Sequence, residues 1–308
     1  MAGSNQQDQY GDRPGDGTPS NSDSPLAVVT GSLTRDRIRS RFHVSWRIGG
    51  VVWYAGTTLA RLGLNTRVVT RAAPEDCDLA ETLRSRGVDV WLRASRKTTV
   101  FVNDYTAKHQ DDRTQEVEAL ADPIEGAELS RALVDADLLY LGPLHPGDFS
   151  DDALSLLCAE RSYLVALDIQ GFTRVVRGHQ VFPESDTRLP RLLRASDFIK
   201  ASESEARLIT NTAEASDAVC NLALTHPGTE VVVTCGANGA YVAKEDVIHY
   251  EPAVPTQIGD TTGAGDIFFA AYLARRIKGI SLDAAAKFAA SITAEQLTKP
   301  KRTLTLPE

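Results

Sequence analysis

Short apolar runs that alternate with helix-like segments restrict this chain to a small group of folds. Each run is almost continuously apolar at its centre, which is typical of strands buried on both faces of a mostly parallel sheet. The runs are LAVVTGSL (26–33), TRVVTRAA (66–73), DLLYLGPL (137–144), YLVALDIQ (163–170), DFIKAS (197–202) and EVVVTCG (230–236). Helix-like patterns lie between them at 57–63, 78–87, 151–160, 188–196 and 215–226. This alternation predicts an α/β, doubly wound domain with a mostly parallel sheet flanked by helices.

Two places interrupt the alternation. DVWLRAS (89–95) and KTTVFVNDY (97–105) read as consecutive strands with no helix between them. We expect this pair, with neighbouring N-terminal strands, to leave the main sheet and cover one edge of a site as a small β lid. GAYVAKEDVIHYEP (239–252) is predicted to be a hairpin with its turn at Lys244 to Asp246.

The first 25 residues, MAGSNQQDQYGDRPGDGTPSNSDSP, contain almost no aliphatic side chains. Such a segment cannot bury enough surface to offset the entropy of ordering it, so we predict a disordered tail over 1–25 and one folded domain over 26–308.

Composition narrows the class of partner. The 308 residues are 42% hydrophobic and carry a formal net charge of −8, which argues against a general nucleic-acid or membrane-surface binder. The four cysteines are far apart and form no CxxC pair, so neither a zinc site nor a disulfide framework is indicated. No signal peptide and no membrane-spanning apolar run is found, and we expect a cytoplasmic protein acting on small molecules.

A glycine-rich loop leads into a helix at GDTTGAGDIFFAAYLARRI (259–277). Backbone N–H groups at such a helix start favour an anion, yet the carboxylate of Asp266 lies at the same point. Two interpretations are open. Asp266 is a general base that takes a proton from an attacking hydroxyl while the amides stabilise a transferring phosphoryl group, or it caps the helix.

The stretch DTTGAGD (260–266) resembles the C-terminal signature of the PfkB (ribokinase-like) carbohydrate kinases. The glycine pair 49–50 in RIGGVVWYAGTTLARLG resembles the N-terminal signature of the same family, and the resemblance covers nearly all of the chain after the tail. It implies a ribokinase-like fold and ATP-dependent phosphorylation of a hydroxyl on a small polyol or sugar. The implied cofactors are ATP and Mg²⁺, and a monovalent cation is a further one that the family allows.

The resemblance also implies roles for particular residues near the chemistry. Asp266 would be the catalytic base, and the loop before it would form an anion hole, through Gly263, Ala264 and Gly265. Asp36 would hold substrate hydroxyls, and Gly49 and Gly50 would let the substrate lie close to the backbone.

At the donor end, VTCGANGA (233–240) resembles the ATP-binding turn of the family, which implies nucleotide contacts from Thr234, Gly236 and Gly239. FIKASESEARLI (198–209) resembles the NxxE segment, in which Glu205 would organise Mg²⁺ through water. Ser202 stands at the asparagine position of that segment. Lys287 lies where relatives often place an asparagine near the adenine.

The acceptor is less constrained. Tyr54 stands where the N-terminal signature usually has an asparagine. Its aromatic ring either contacts the apolar face of a substrate ring or packs in the core, and both interpretations are open. VALDIQGFTRVV (165–176) is similar to the branch that contains plant-type myo-inositol kinases, which places Asp168 and Arg174 near the phosphate path. Arg174 would contact phosphate oxygens, although a surface arginine is the alternative.

We therefore expect a cyclitol such as myo-inositol as acceptor. A nucleoside or a furanose sugar is the alternative within the family, and a catalytically weak sensor of a sugar or nucleotide is the alternative of another class. Lids in this family sometimes pair between subunits, so a homodimer is allowed, although no residue argues for it.

Overall fold

The part of the chain that the structure describes consists of two β-sheets and the helices around the larger one. The computed structural model describes residues 24–40, 43–104, 114–256 and 261–298. The α-helices are α1 Val51–Arg61, α2 Cys77–Arg84, α3 Gly126–Ala132, α4 Asp151–Ser155, α5 Leu189–Arg194, α6 Glu203–Thr210, α7 Ala215–Thr225, α8 Ala264–Arg276 and α9 Leu282–Leu297. The strands are β1 Leu26–Thr30, β2 Thr34–Ser40, β3 His43–Gly49, β4 Asn65–Ala72, β5 Asp89–Ala94, β6 Val100–Asp104, β7 Thr114–Ala119, β8 Leu138–Leu141, β9 Leu164–Asp168, β10 Arg174–Arg177, β11 Gln180–Pro183, β12 Phe198–Ser202, β13 Glu230–Thr234, β14 Ala240–Lys244 and β15 Val247–Glu251.

The main sheet contains nine of the strands in the described ranges, in the order β15-β14-β13-β12-β9-β8-β1-β4-β5. All neighbouring pairs from β13 to β5 are parallel, while β14 and β15 form an antiparallel hairpin beside β13. The predicted α/β class, the mostly parallel sheet and the C-terminal hairpin are confirmed. Because parallel strands need crossover connections, the helices cover both faces of the sheet.

The second sheet contains six strands among the described residues, in the order β10-β11-β7-β6-β2-β3, and forms the lid. The prediction that 89–95 belongs to the lid is wrong. β5 pairs in parallel with β4 from Arg67↔Asp89 to Ala72↔Ala94 and is an edge strand of the main sheet. The cause is its connection: α2 joins β4 to β5, and a strand that follows such a crossover helix returns beside the first strand. Lid strand β6 lies within the predicted 97–105, of which residue 105 is outside the described ranges.

The core has one hydrophobic cluster on each face of the main sheet. Along β1, Ala27 and Val29 face the cluster formed with α1, α2, α8 and α9, while Val28 faces the cluster formed with α3 to α7. This alternation follows from the two-residue period of a strand. It explains why four successive residues of the strand, Leu26 to Val29, are apolar.

Helix α8 is buried almost all round, from Ile267 to Ala274. A buried carboxylate holds its C-terminal end: Glu230 accepts hydrogen bonds from Tyr272 Oη at 2.9 Å and from Arg276 Nε at 2.7 Å. The helix that opens the domain, α1, starts at Val51, six residues before the predicted 57–63. Its first turn, VVWY, has strand-like propensity, which packing against the main sheet overrides.

The N-terminal prediction is partly outside the described residues, since 1–23 are not among them. Ser24 and Pro25, which we assigned to the tail, are part of the fold, because both carbonyls accept hydrogen bonds from Asn65 at 2.7 and 3.1 Å. In the ranges that the structure describes, no helix has the length and apolar character of a membrane span.

Candidate active site

A polar cavity of about 360 Å³ lies between the lid and the carboxyl ends of the main-sheet strands. Open α/β sheets bind ligands at this end of their strands. Most residues expected at the site line this cavity, namely Asp36, Gly50, Tyr54, Arg174, Ser202, Glu205, Thr234, Gly263, Ala264, Gly265 and Asp266. Segments that are far apart in sequence thus meet around one space.

Asp266 lies in the first turn of α8, but it does not cap the helix. The N-cap is Gly263, with φ of 80°, and no side chain caps this end. The Ala264 N–H donates to Thr261 O at 3.0 Å. Within the described ranges, no acceptor is found for the N–H groups of Gly265 and Asp266, which are unpaired as the first amides of a helix normally are. These two amides can stabilise an anion at the helix start.

A buried lysine lies between two aspartates at this point. Lys200 Nζ is 2.8 Å from Asp168 Oδ2 and 3.6 Å from Asp266 Oδ1. The side chain of Asp168 is 0% exposed, that of Lys200 6% and that of Asp266 13%. Gly265 is part of the arrangement, because a Cβ there would approach Lys200 Nζ to 3.2 Å. The glycine loop and the lysine therefore pack against each other.

The electrostatics of this cluster are dominated by burial. Burial raises the pKa of Asp168 to about 7, against the opposing effect of the Lys200 ammonium. Burial also raises the pKa of Asp266, again opposed by Lys200, while the charge of Glu205 adds to the rise. For Lys200 itself, burial acts to lower the pKa, but the three carboxylates outweigh it and raise the pKa. Lys200 is thus a fixed cation beside Asp266. The proton affinity of Asp266 is increased by burial, a property that suits a general base.

Lys200 is a site residue that the sequence analysis did not identify. Its signal was present: it is the one charged residue inside the apolar strand β12, FIKAS, which is buried on both faces. A lysine is almost never fully buried unless it is paired. Asp168, which was expected near the phosphate path, lies beneath the cavity wall as the partner of this lysine.

The lid side of the cavity is built around Asp36 on lid strand β2. Thr34 Oγ1 donates to Asp36 Oδ1 at 2.8 Å. Gly49 lies against the same carboxylate, and a Cβ at Gly49 would overlap Asp36 Oδ2. Gly50, with φ of 89°, comes so close to Ser32 O that a side chain there would overlap it. The glycine pair thus makes room for the Asp36 carboxylate and for close backbone packing beneath it.

Tyr54 lines the cavity from α1 and contacts the glycine loop. A Cβ on Gly263 would overlap the Tyr54 ring, so the ring packs directly on the backbone of that glycine. The two glycine-containing segments that suggested a site are therefore in contact through Tyr54. The ring both packs against the loop and forms part of the cavity wall.

Arg174 and Glu205 line the same cavity beside the start of α6. Arg174 is half-buried, with one guanidinium nitrogen 3.8 Å from Glu205 Oε1, so it is not a surface arginine. Ser202 is the N-cap of α6, and Glu205 Oε2 accepts from the Ser202 N–H at 2.8 Å in a capping box. The backbone N–H at the expected asparagine position therefore orients the Glu205 carboxylate, while the serine Oγ accepts from the Glu205 N–H at 3.3 Å.

A second, mostly apolar cavity of about 160 Å³ adjoins the glycine loop from the other side. Three expected nucleotide residues line it, Thr234, Gly236 and Gly239. Its other walls come from the segment after β15 and from α8 and α9, through Ala253, Val254, Phe268, Ala290, Thr293, Ala294 and Leu297. Lys287 does not contribute, because it lies on the exposed side of α9. Apolar walls of this kind suit the faces of a purine ring.

Metal binding was expected through Glu205. No group of three or more potential ligands among His, Cys, Asp and Glu side chains is found in the ranges that the structure describes. Mg²⁺ keeps several of its waters and is held by one or two carboxylates together with substrate phosphates. Glu205, oriented by Ser202, fits such a water-mediated contact.

Comparisons with known proteins agree with this geometry. The model of the pfkB family carbohydrate kinases matches residues 36–308. A fructokinase of Rhizobium leguminosarum bv. trifolii is 29% identical over 246 residues, which cover 73% of this chain and 70% of that protein. A fructokinase of Escherichia coli is 34% identical over 85 residues, and the match spans only 28% of the length of either protein.

A solved structure extends the comparison to the fold. A pyrophosphate-dependent kinase in the ribokinase family, complexed with a pyrophosphate analog and myo-inositol, superposes with a TM-score of 0.80 and 25% identity, covering 90% of this chain and 97% of that one. The expected ribokinase-like fold is thereby confirmed. Since the family model matches nearly the whole described chain, the protein belongs to the pfkB family of carbohydrate kinases.

Proposed function

We propose that this protein transfers the terminal phosphoryl group of ATP to one hydroxyl of a small polyol or sugar. The observation that supports this most is the meeting of the two cavities at the start of α8. Thr234, Thr261, Ala264 and Gly265 line both cavities, while Asp266 lines only the polar one. A donor in the apolar cavity would place its phosphates at the helix start, facing an acceptor hydroxyl beside Asp266.

In this arrangement the residues have separate tasks. Asp266 takes the proton from the acceptor hydroxyl, which then attacks the phosphorus in line with the leaving oxygen. The amides of Gly265 and Asp266 stabilise the charge on the transferring group. Lys200 and Arg174 add positive charge at the same place. Mg²⁺, held through water by Glu205, would neutralise part of the charge on the donor phosphates.

The acceptor that we propose first is a cyclitol such as myo-inositol. The relative complexed with myo-inositol has the same fold over 90% of this chain, and the Tyr54 ring offers an apolar face at the cavity wall. Fructose and other furanose sugars are the alternative, because the curated relatives are fructokinases. Nucleosides are a further class to include in the test.

Pyrophosphate is a second candidate donor. The specific observation in its favour is the 25% identity to a pyrophosphate-dependent kinase over 90% of this chain. ATP remains the first proposal because the apolar cavity beside Thr234 and Gly236 has the lining that a purine needs and that pyrophosphate does not use.

The test combines each donor with each acceptor. Purified protein with Mg²⁺ is given ATP or pyrophosphate together with myo-inositol, other cyclitols, fructose, ribose or adenosine, and phosphorylated product is measured directly. We expect product with ATP and a cyclitol. If product forms with pyrophosphate and not with ATP, pyrophosphate is the donor and the ATP proposal is wrong. A thermal shift with a sugar or nucleotide but no product with any pair would favour the sensor instead.

The role of the base is tested by Asp266→Asn. We expect kcat to fall by about 10² to 10⁴-fold, the range for loss of a general base, while the fold is retained. The matched control is Asp217→Asn, which makes the same exchange in the first turn of α7 at an exposed position. Near-normal turnover in Asp266→Asn would exclude this aspartate as the base.

A further inference from the structure

A row of hydrogen bonds connects the base of the lid with the loop that follows β8 (residues 142–150). Asp148 lies in this loop and is 3% exposed. Ser32 Oγ, between β1 and β2, donates to Asp148 Oδ1 at 2.6 Å and lies 3.2 Å from Thr99 Oγ1, just before β6. Thr99 Oγ1 also accepts from the Ala121 N–H at 3.0 Å, just after β7. Three segments that link the two sheets therefore meet at one buried carboxylate.

The hydrogen bonds of this row all point in one direction. An ionised carboxylate can only accept, so the Ser32 hydroxyl gives its one hydrogen to Asp148 and must itself accept from Thr99. Burial acts to raise the pKa of Asp148, but its contacts with His145 and Ser32 outweigh burial and lower that pKa, so the ionised form is present at neutral pH. His145 Nε2 lies 2.9 Å from Asp148 Oδ1. Hydrogen bonds that share a direction polarise one another, so loss of the carboxylate weakens the whole row.

The Asp148 carboxylate also holds part of the wall of the polar cavity. Its second oxygen, Oδ2, accepts from the Leu144 N–H at 2.5 Å, and Leu144 lines the cavity. On the lid side, Thr99 O accepts from the Arg35 N–H at 3.0 Å, and Arg35 precedes Asp36 on β2. One side chain thus fixes the lid strand that carries Asp36 relative to the ends of the main-sheet strands.

We infer that Asp148 is a positioning residue for phosphoryl transfer, which holds the lid in the position that excludes water from the polar cavity. The inference rests on the proposed function for the reaction, although its evidence is the row of hydrogen bonds. Asp148 is not among the described residues that line the cavity, so its effect on the reaction passes through the lid and the loop after β8.

The chemical consequence of releasing the lid is transfer to water. A water molecule then takes the place of the acceptor hydroxyl at Asp266. Its oxygen forms the new bond to phosphorus, the bond to the leaving oxygen of ADP breaks, and the water proton goes to Asp266. The product is inorganic phosphate, which is formed at the expense of the phosphorylated acceptor.

The test compares Asp148→Asn with the wild type. The amide has the shape of the carboxylate, but its N–H₂ group meets Ser32 or Leu144, and both of these donate. We expect the backbone amides of β2 and β6 to exchange hydrogen about 10- to 100-fold faster, the range for loss of one hydrogen bond to a charged group. Amides of β9 and β12 should keep their protection. With donor and acceptor present, inorganic phosphate formed per phosphorylated product should rise by about 10-fold or more.

Two variants on the lid side test the same row from its other end. Thr99→Val keeps the shape of the side chain and removes its hydroxyl, so it should release the lid as Asp148→Asn does. Thr99→Ser keeps the hydroxyl and should retain both lid protection and a low phosphate ratio. The control is Asp152→Asn, the same exchange at an exposed position of α4, where the carboxylate accepts from the Gly126 N–H of α3 at 3.1 Å. It should match the wild type in both readouts.

The inference is overturned if Asp148→Asn is folded and shows wild-type exchange in β2 and β6, or a wild-type phosphate ratio. It is also overturned if exchange rises equally in the main-sheet strands, since that indicates general destabilisation. If Asp148→Asn does not fold, equal exchange in Thr99→Val and Thr99→Ser overturns it. Failure of the proposed function has a different signature, a wild type that phosphorylates no acceptor. Hydrogen exchange needs no substrate, so faster exchange confined to the lid strands would still support the positioning role.

Discussion

The cation between the two buried aspartates is the feature with the most direct consequence for activity, and Lys200→Met tests it. Methionine keeps most of the side-chain length while removing the charge. At the observed 3.6 Å between Lys200 Nζ and Asp266 Oδ1, Coulomb's law with an effective dielectric constant of about 20 gives about 5 kcal/mol of attraction. This attraction favours the ionised form of Asp266, which is the form that can accept a proton.

Lys200→Met removes this attraction, and part of its loss is compensated by the neighbouring carboxylate of Asp168. Burial already raises the pKa of Asp168 to about 7, so without the ammonium this carboxyl takes up a proton and its own negative charge disappears. We expect a net loss of about 2–3 kcal/mol in transition-state stabilisation, which corresponds to a fall in kcat/KM of about 30- to 150-fold at neutral pH.

The pH profile of kcat/KM gives the more specific readout. In the wild type, burial raises the pKa of Asp266, so activity should fall on acidification at a higher pH than for an ordinary aspartate. Lys200 lowers that pKa, so its removal should move the acid limb to still higher pH and let activity recover in alkaline buffer. Product formation is measured from acidic to alkaline pH in the wild type, in Lys200→Met and in Lys200→Arg, which keeps the charge.

A purely structural role for Lys200 predicts a different result. Its loss would then lower the rate equally at every pH, with the acid limb unmoved, and this outcome would refute the electrostatic reasoning. Lys244→Met is the control, because Lys244 also pairs with a buried carboxylate, Glu230 at 3.5 Å, but lies far along the sheet from Asp266 and is 44% exposed. Its profile should keep the wild-type acid limb.

Two further variants test the supports of the site. Gly263→Ala should lower the free energy of unfolding by more than Gly279→Ala, as measured by urea denaturation. Both glycines have a left-handed φ, 80° and 75°, but only at position 263 would a Cβ overlap the Tyr54 ring. Equal losses of unfolding free energy in the two variants would show that backbone strain alone matters. Ser202→Ala should cost about 1 kcal/mol through loss of the α6 cap. The dependence on Mg²⁺ should remain, because Glu205 Oε2 accepts from the backbone N–H of residue 202, which alanine retains. Ser202→Asn, which retains a capping side chain, should keep both properties.

The sequence was most informative where a local pattern has one physical cause. Runs such as LAVVT at β1 are apolar at successive positions from Leu26 to Val29 because the strand is buried on both faces, so the parallel sheet was predictable. The glycine loop before Asp266 was likewise recognisable, because anion-binding backbone at a helix start requires small residues.

Features set by long-range contacts could not be predicted in the same way. Strand β5 was assigned to the lid because no helix separates it from the next strand, and its pairing with β4 places it in the main sheet. The importance of Lys200 depends on two aspartates that are distant along the chain. Asp168 lies 32 positions before it and Asp266 lies 66 positions after it. In each case the deciding information is which groups meet across the fold, which residue type alone does not reveal.

Helix α8 is held at both ends, and this gives it a mechanical role. Its 13 residues span about 20 Å at 1.5 Å per residue. At one end Gly263 packs against the Tyr54 ring, and at the other Arg276 is bound to the buried Glu230. A helix fixed at both ends has little freedom to shift as one body, so we expect Glu230→Gln, which weakens the distal anchor, to lower turnover although Glu230 lines neither cavity.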